Sequence, residues 1–233
     1  MRLLLLSALL FATPAFAAER TFPVGSFERV RVAGPLKVRI ATGAAPGAKA
    51  RADQPTLDRL SIEVSGGTLT VRMGGAGWSE RPALAKATVP EITLSTPRLV
   101  AVAISAGAQV ETGKVAGNRV DLTITGPGTL AVAGAEADQL IATVVGSGTM
   151  TLAGKAATAR LSLNGTGAIA APELTADTAV VRLEGPGEIA AHARYAAQVT
   201  SNGLGRVTVT GAPKCTVTAT SGGPVSCGVG AGK

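Results

Sequence analysis

The chain has 233 residues, of which 46% are hydrophobic but only 3% aromatic, with 30 glycines and a formal net charge of +7. Apolar residues in such number, recurring periodically, exclude a disordered chain, and the shortage of aromatics points to a narrow core of small side chains. One histidine, with two cysteines confined to the C-terminus, excludes a zinc constellation.

The N-terminus predicts export. Met1-Arg2 supplies a positive charge, Leu3 to Ala12 is apolar, Thr13-Pro14 breaks the run, and Ala15-Phe16-Ala17 places alanine at −3 and −1 of a cleavage site. This order reads as a secretory signal peptide over 1–17. The apolar run is too short to span ~30 Å of hydrocarbon, and no later segment can span a bilayer as a helix. We therefore expect a periplasmic or secreted, cell-surface location, with 18–233 as a single β-solenoid domain.

Residues 26–113 are the less regular part. Val30, Val32, Leu36, Val38 and Ile40 alternate around Gly34-Pro35, and Leu60, Ile62, Val64, Leu69 and Val71 alternate around Gly66-Gly67. These read as first coils separated by an insertion from Thr42 to Pro55. The same alternation sends Arg29, Arg31, Lys37 and Arg39 outward, where four cations sharing one side would meet an anionic surface polymer in a weak, salt-sensitive contact. Basic residues outnumber acidic ones by 13 to 8 from Ala18 to Ala116 and by 8 to 7 beyond, so the positive excess lies in this half. A second insertion, Gly74 to Pro90, carries the only tryptophan, Trp78, expected to pack over one end or side as an interface or cap.

Residues 114–228 repeat. Gly126-Pro127-Gly128, Gly146-Ser147-Gly148, Gly165-Thr166-Gly167, Gly185-Pro186-Gly187 and Gly203-Leu204-Gly205 recur at spacings of 18 to 20 residues. Looser copies stand at Ser105-Ala106-Gly107 and Ser221-Gly222-Gly223. Their flanks alternate with period 2, as strands with one buried face do: Val120, Leu122 and Ile124, then Leu130 and Val132, and so on to Val207 and Val209. A unit of two short strands cannot bury its apolar face alone, whereas coils stacked at ~4.8 Å complete one another's hydrogen bonds. The pattern predicts an all-β parallel β-helix, a solenoid with coils of about 20 residues; an antiparallel sandwich of hairpins is the rival. Cys215 and Cys227 fall on the inward parity on either side of the last turn, and in an oxidising compartment they are expected to pair as a disulfide.

Phe27-Glu28-Arg29-Val30-Arg31-Val32-Ala33-Gly34, Leu69-Thr70-Val71 and the serial Gly-x-Gly turns resemble the head GIN domain family, whose members are often labelled auto-transporter adhesins. The resemblance runs from about Ser26 to Gly228. It implies a right-handed β-helical domain of bacterial envelopes without an established enzymatic activity.

The sequence offers few candidates for chemistry. His192 stands alone at a coil corner. Ala103-Ile104-Ser105-Ala106-Gly107 lacks the first glycine and the strand-to-helix setting of a nucleophile elbow. The turns carry no repeated aspartate for calcium, and Asp121, Glu184 and Glu188 form no evident acid–base pair. No catalytic residue, metal site or cofactor is expected, and no specific nucleic acid. The reading is a noncatalytic exported envelope module, adhesin-like or scaffolding, whose partner is an envelope protein, a glycan or an anionic surface polymer. The alternative is a carbohydrate-active β-helix enzyme acting on an envelope or extracellular polysaccharide.

Overall fold

The computed structural model describes residues 18–74, 89–220 and 222–228. The signal peptide expected at 1–17 and the segment carrying Trp78 lie outside the described residues. In chain order the elements are β1 (Ala18–Phe22), β2 (Arg29–Ala33), β3 (Lys37–Thr42), β4 (Gly47–Ala52), α1 (Gln54–Arg59), β5 (Leu60–Ser65), β6 (Thr68–Met73), β7 (Glu91–Thr96) and β8 (Ala101–Ser105). The long strands β9 (Gln109–Thr125), β10 (Thr129–Val145), β11 (Thr149–Asn164), β12 (Ala168–Glu184) and β13 (Glu188–Ser201) follow, then β14 (Arg206–Gly211), β15 (Lys214–Ala219) and β16 (Val225–Cys227).

Strands β9 to β13 pair in parallel, each with the next, which decides for the solenoid over the sandwich. It has about six turns, with coils of about 20 residues. Each long strand is one coil. In β9 the buried residues are Val110 and Thr112, then Val115, then Val120, Leu122 and Ile124. Alternation breaks twice, so the coil has three sides: side A after the glycine turn, a short side B, and side C leading into the next turn. The turns need glycine for two reasons. Gly126 has φ 83°, which only glycine adopts without strain. Gly205 has an ordinary φ, but a Cβ there would stand 2.1 Å from the carbonyl oxygen of Gly187 in the coil before.

Stacking makes columns. On side A, Ile92, Val38, Val110, Leu130, Met150, Ile169, Ile189, Val207 and Val225 lie in successive register. On side C the matching column is Leu69, Val30, Val102, Leu122, Ala142, Leu161, Val181, Val199 and Val217. Except at the last coil these side chains are almost wholly buried. A column of like-sized apolar groups fills the lumen at interior density, and this accounts for a core without large rings.

The N-terminal half departs from the expected order. The coil β2–β3 is the first in sequence but the second in the stack: β2 lies between β6 and β8, and β3 between β7 and β9. The Gly66-Gly67 turn closes an antiparallel hairpin, β5–β6, instead of a coil corner. Hairpin geometry prevails because both glycines take positive φ, 55° and 72°. The Thr42–Pro55 segment forms a cap: β4 adds antiparallel to β7, and β1 adds antiparallel to β4. Helix α1 follows, N-capped by Asp53, whose side chain accepts from the Thr56 N–H at 2.8 Å, with Pro55 in the first turn. Leu57 of α1 is buried beneath it.

Candidate functional site

Side B is the sequence-poor side, and a groove runs along it. About 770 Å³ of open space follows the solenoid axis from Arg98 to Arg194. Its floor is a column of small residues, Gly117, Ala137 and Ala156, in register from coil to coil. With no side chain longer than a methyl, the floor lies below the rows on either hand. One residue before it run Ala116, Glu136, Lys155, Thr175 and His192, and one residue beyond it Asn118, Asp138, Ala157, Asp177 and Arg194.

These rows carry most of the polar chemistry of the groove. Glu136 bonds Lys114 of the preceding coil at 2.5 Å. The bond to Lys114 and its charge, with a smaller contribution from Lys155, hold the Glu136 carboxyl below the usual range. Asp177 pairs with Arg194 at 3.3 Å, and the Arg194 guanidinium also lies 4.9 Å from the centre of the Tyr195 ring. Tyr195, the only tyrosine, is 61% exposed. Arg98 closes one end and bonds Glu28 at 2.9 Å. Asp138 is exposed and has no ionic partner among the described residues. Glu136, Asp138 and Asp177 are thus matched by Arg98, Lys155 and Arg194, and the lining is charged but balanced.

The basic residues singled out in the sequence are divided. Arg29 and Arg31 project from β2 on side C, beside Thr68, Ala101, Thr70 and Ala103. Lys37 and Arg39 project from β3 on side A, beside Glu91, Gln109, Thr93 and Glu111. The turn at Gly34-Pro35 separates the pairs, and Arg39 bonds Glu111 at 3.2 Å. Asp121 is held by Arg119 and Glu184 by Arg182, both on side C, so these acids serve their own surface. His192 shares a 3.0 Å hydrogen bond with Thr210. Cys215 and Cys227 are joined as a disulfide, their Cα atoms 6.2 Å apart. Among the described residues no group of three or more His, Cys, Asp or Glu is placed to hold a metal ion, and no helix is long and apolar enough to cross a membrane. The groove is legible only after coils are aligned, for Asn118, Asp138 and Asp177 recur at the same coil position.

Residues 26–213 match the family described as putative auto-transporter adhesin, head GIN domain. The chain belongs to this family. Its fold is similar to that of a putative adhesin from Bacteroides fragilis, with a TM-score of 0.80 at 17% identity over 92% of this chain and 97% of that one. It is similar also to a putative lipid binding protein from Parabacteroides distasonis, with a TM-score of 0.70 at 18% identity over 93% and 98%. A putative adhesin from Parabacteroides merdae gives a TM-score of 0.72 at 18% identity over 93% and 97%. At these identities the likeness is one of fold. No curated protein matches the chain.

Proposed function

We propose that this chain is a noncatalytic, adhesin-like module of the bacterial envelope that lays an extended, uncharged or zwitterionic glycan along the side B groove. The observation that carries this reading is the groove itself, a trough crossing five coils with donors and acceptors on both rims and no net charge in its lining. Export by a cleaved signal peptide and a periplasmic or surface location belong to the same proposal. Balanced charge favours hydroxyl-rich chains over polyanions, because carboxylate and guanidinium groups both bond hydroxyl pairs. The divided basic residues of β2 and β3 support a polyanion contact less well. The test is an array of neutral, zwitterionic and acidic glycans probed with the mature chain and with Asp138→Ala/Arg194→Ala. Binding to uncharged or zwitterionic glycans that the double variant loses is expected; binding confined to acidic glycans and unchanged in the variant overturns the assignment.

One observation favours the enzyme alternative. Asp138 and Asp177 are two coils apart on one rim, roughly 9–10 Å, the upper range for two carboxyls that hydrolyse a glycosidic bond with inversion. Against it, Asp177 is already neutralised by Arg194, and Asp138 is exposed. Release of reducing ends from a bound glycan, abolished in Asp138→Asn, would establish it.

A further inference from the structure

The two ends of the solenoid differ. At the N-terminal end each outer strand adds antiparallel to its neighbour and carries charges: β1, on β4, holds Glu19 and Arg20, and β5, on β6, holds Glu63. Glu19 bonds Arg51 and Arg20 bonds Asp58 of α1, both at 2.6 Å. Such charges and cover keep an edge from pairing with another chain. At the C-terminal end β15 pairs with β13 on one side only. Its single charge is Lys214, at its start, and its inward-parity valine, Val217, is 45% exposed, with no strand among the described residues covering it.

The backbone of this edge is oriented outward. Thr220 donates to the carbonyl of Ser201 at 3.1 Å, and residues of like parity in a parallel strand direct both polar groups to the same neighbour. Thr216, Thr218 and Thr220 therefore face β13, while Cys215, Val217 and Ala219 turn their N–H and C=O groups to the open side. The Cys215–Cys227 disulfide ties β15 to β16, so the edge is fixed before any partner arrives.

We propose that β15 is a docking edge for a second copy of this chain, the two solenoids meeting tail to tail. A two-fold axis through Val217 runs the second β15 antiparallel, the mode of strand addition that β1, β4 and β5 already use at the other end. In that register Val217 faces Val217 of the second copy, Cys215 faces Ala219, and Thr216 faces Thr218. Residues that direct polar groups outward meet residues that do the same, apolar parity meets apolar parity, and no like charges are opposed. An interface so small predicts a weak dimer.

The experiment uses the full mature chain, followed by sedimentation over a concentration series together with amide hydrogen exchange of β15. A concentration-dependent dimer is expected, with protection of the Val217 and Ala219 amides rising in step. Val217→Lys should weaken it at least tenfold with an unchanged melting temperature, whereas Val145→Lys, at an equally exposed valine on the wall of β10, should leave it intact. A monomer up to about 1 mM overturns the proposal. So does a dimer indifferent to Val217→Lys, or protection of the β15 amides at every dilution, which would place another segment of the same chain on the edge.

Discussion

Gly203→Ala tests the claim that the turns need glycine for close approach. Gly203 has no positive φ, so alanine is acceptable to its backbone. A Cβ there would lie 2.0 Å from the Gly185 carbonyl oxygen and 2.5 Å from its nitrogen, in the turn directly before it in the stack. The turn must retreat by roughly an ångström, since non-bonded carbon and oxygen rarely come within 3 Å. Two bonds hold it in place, Asn202 N–H to Leu183 at 2.8 Å and Gly205 N–H to Gly185 at 3.1 Å. Overpacking costs about 1–3 kcal/mol, and weakening these bonds adds about 1 kcal/mol each, so a loss of about 3–5 kcal/mol is expected. The paired control is Gly113→Ala, where the added methyl meets nothing within 4 Å and φ is ordinary; it should stay within about 0.5 kcal/mol of the parent. Urea unfolding followed by far-ultraviolet circular dichroism measures both. Equal losses in the two variants, or none at Gly203, would refute the reasoning, since chain entropy by itself favours alanine at both positions.

Other expectations follow from single features. Cys227→Ser should lower stability by about 3 kcal/mol, with hydrogen exchange rising first in β14 to β16. Leu183→Ala, at a fully buried position on side C, should cost about 2–5 kcal/mol by the same urea measurement. Ser201 is buried with no partner for its hydroxyl among the described residues, so Ser201→Ala should be neutral or stabilising by up to about 1 kcal/mol. The carboxyls of Glu19, Asp53 and Glu136 are lowered, by bonds from Arg51, Thr56 and Lys114 respectively. Their stabilisation is complete above the ordinary carboxylate range and is lost as pH falls through the lowered values, so Glu136→Gln should flatten the fall in stability below about pH 4.

How much of this was legible in the sequence depends on what each residue answers to. An inward residue answers to its neighbours at ~4.8 Å above and below, so Leu130, Met150 and Ile169 must be alike and the repeat shows itself. Outward residues answer to solvent or ligand and need not repeat: the row Asn118, Asp138, Ala157, Asp177 and Arg194 holds an acid in only two of five coils, and that recurrence shows only once the coils are aligned. Side B hid for a second reason. Its floor is alanine and glycine, which read as filler in a chain already rich in both. The hairpin at Gly66-Gly67 and the coil turn at Gly34-Pro35 look alike locally; which one reverses the strand is settled by pairing with residues far along the chain. The division of Arg29 and Arg31 from Lys37 and Arg39 follows from the same limit, since alternation gives inward or outward but not which side.

The two ends show how a solenoid resists fraying by different means. Stability in stacked repeats is a sum of neighbour terms, and a terminal coil has only one neighbour. At the N-terminal end that weakness is met by strand order. The coil β2–β3 cannot leave without parting from β6 and β7 on one side and from β8 and β9 on the other. The outermost layer is pinned in turn by the hairpin and by β4 and β1. At the C-terminal end no later strand among the described residues returns to lock the last coil, and β16 has only three residues. A covalent tie is the remaining device, and the only two cysteines of the chain lie in that coil, on β15 and β16. Interleaving would have required a strand beyond β15, which would have buried the edge; the disulfide secures the coil and leaves the edge open.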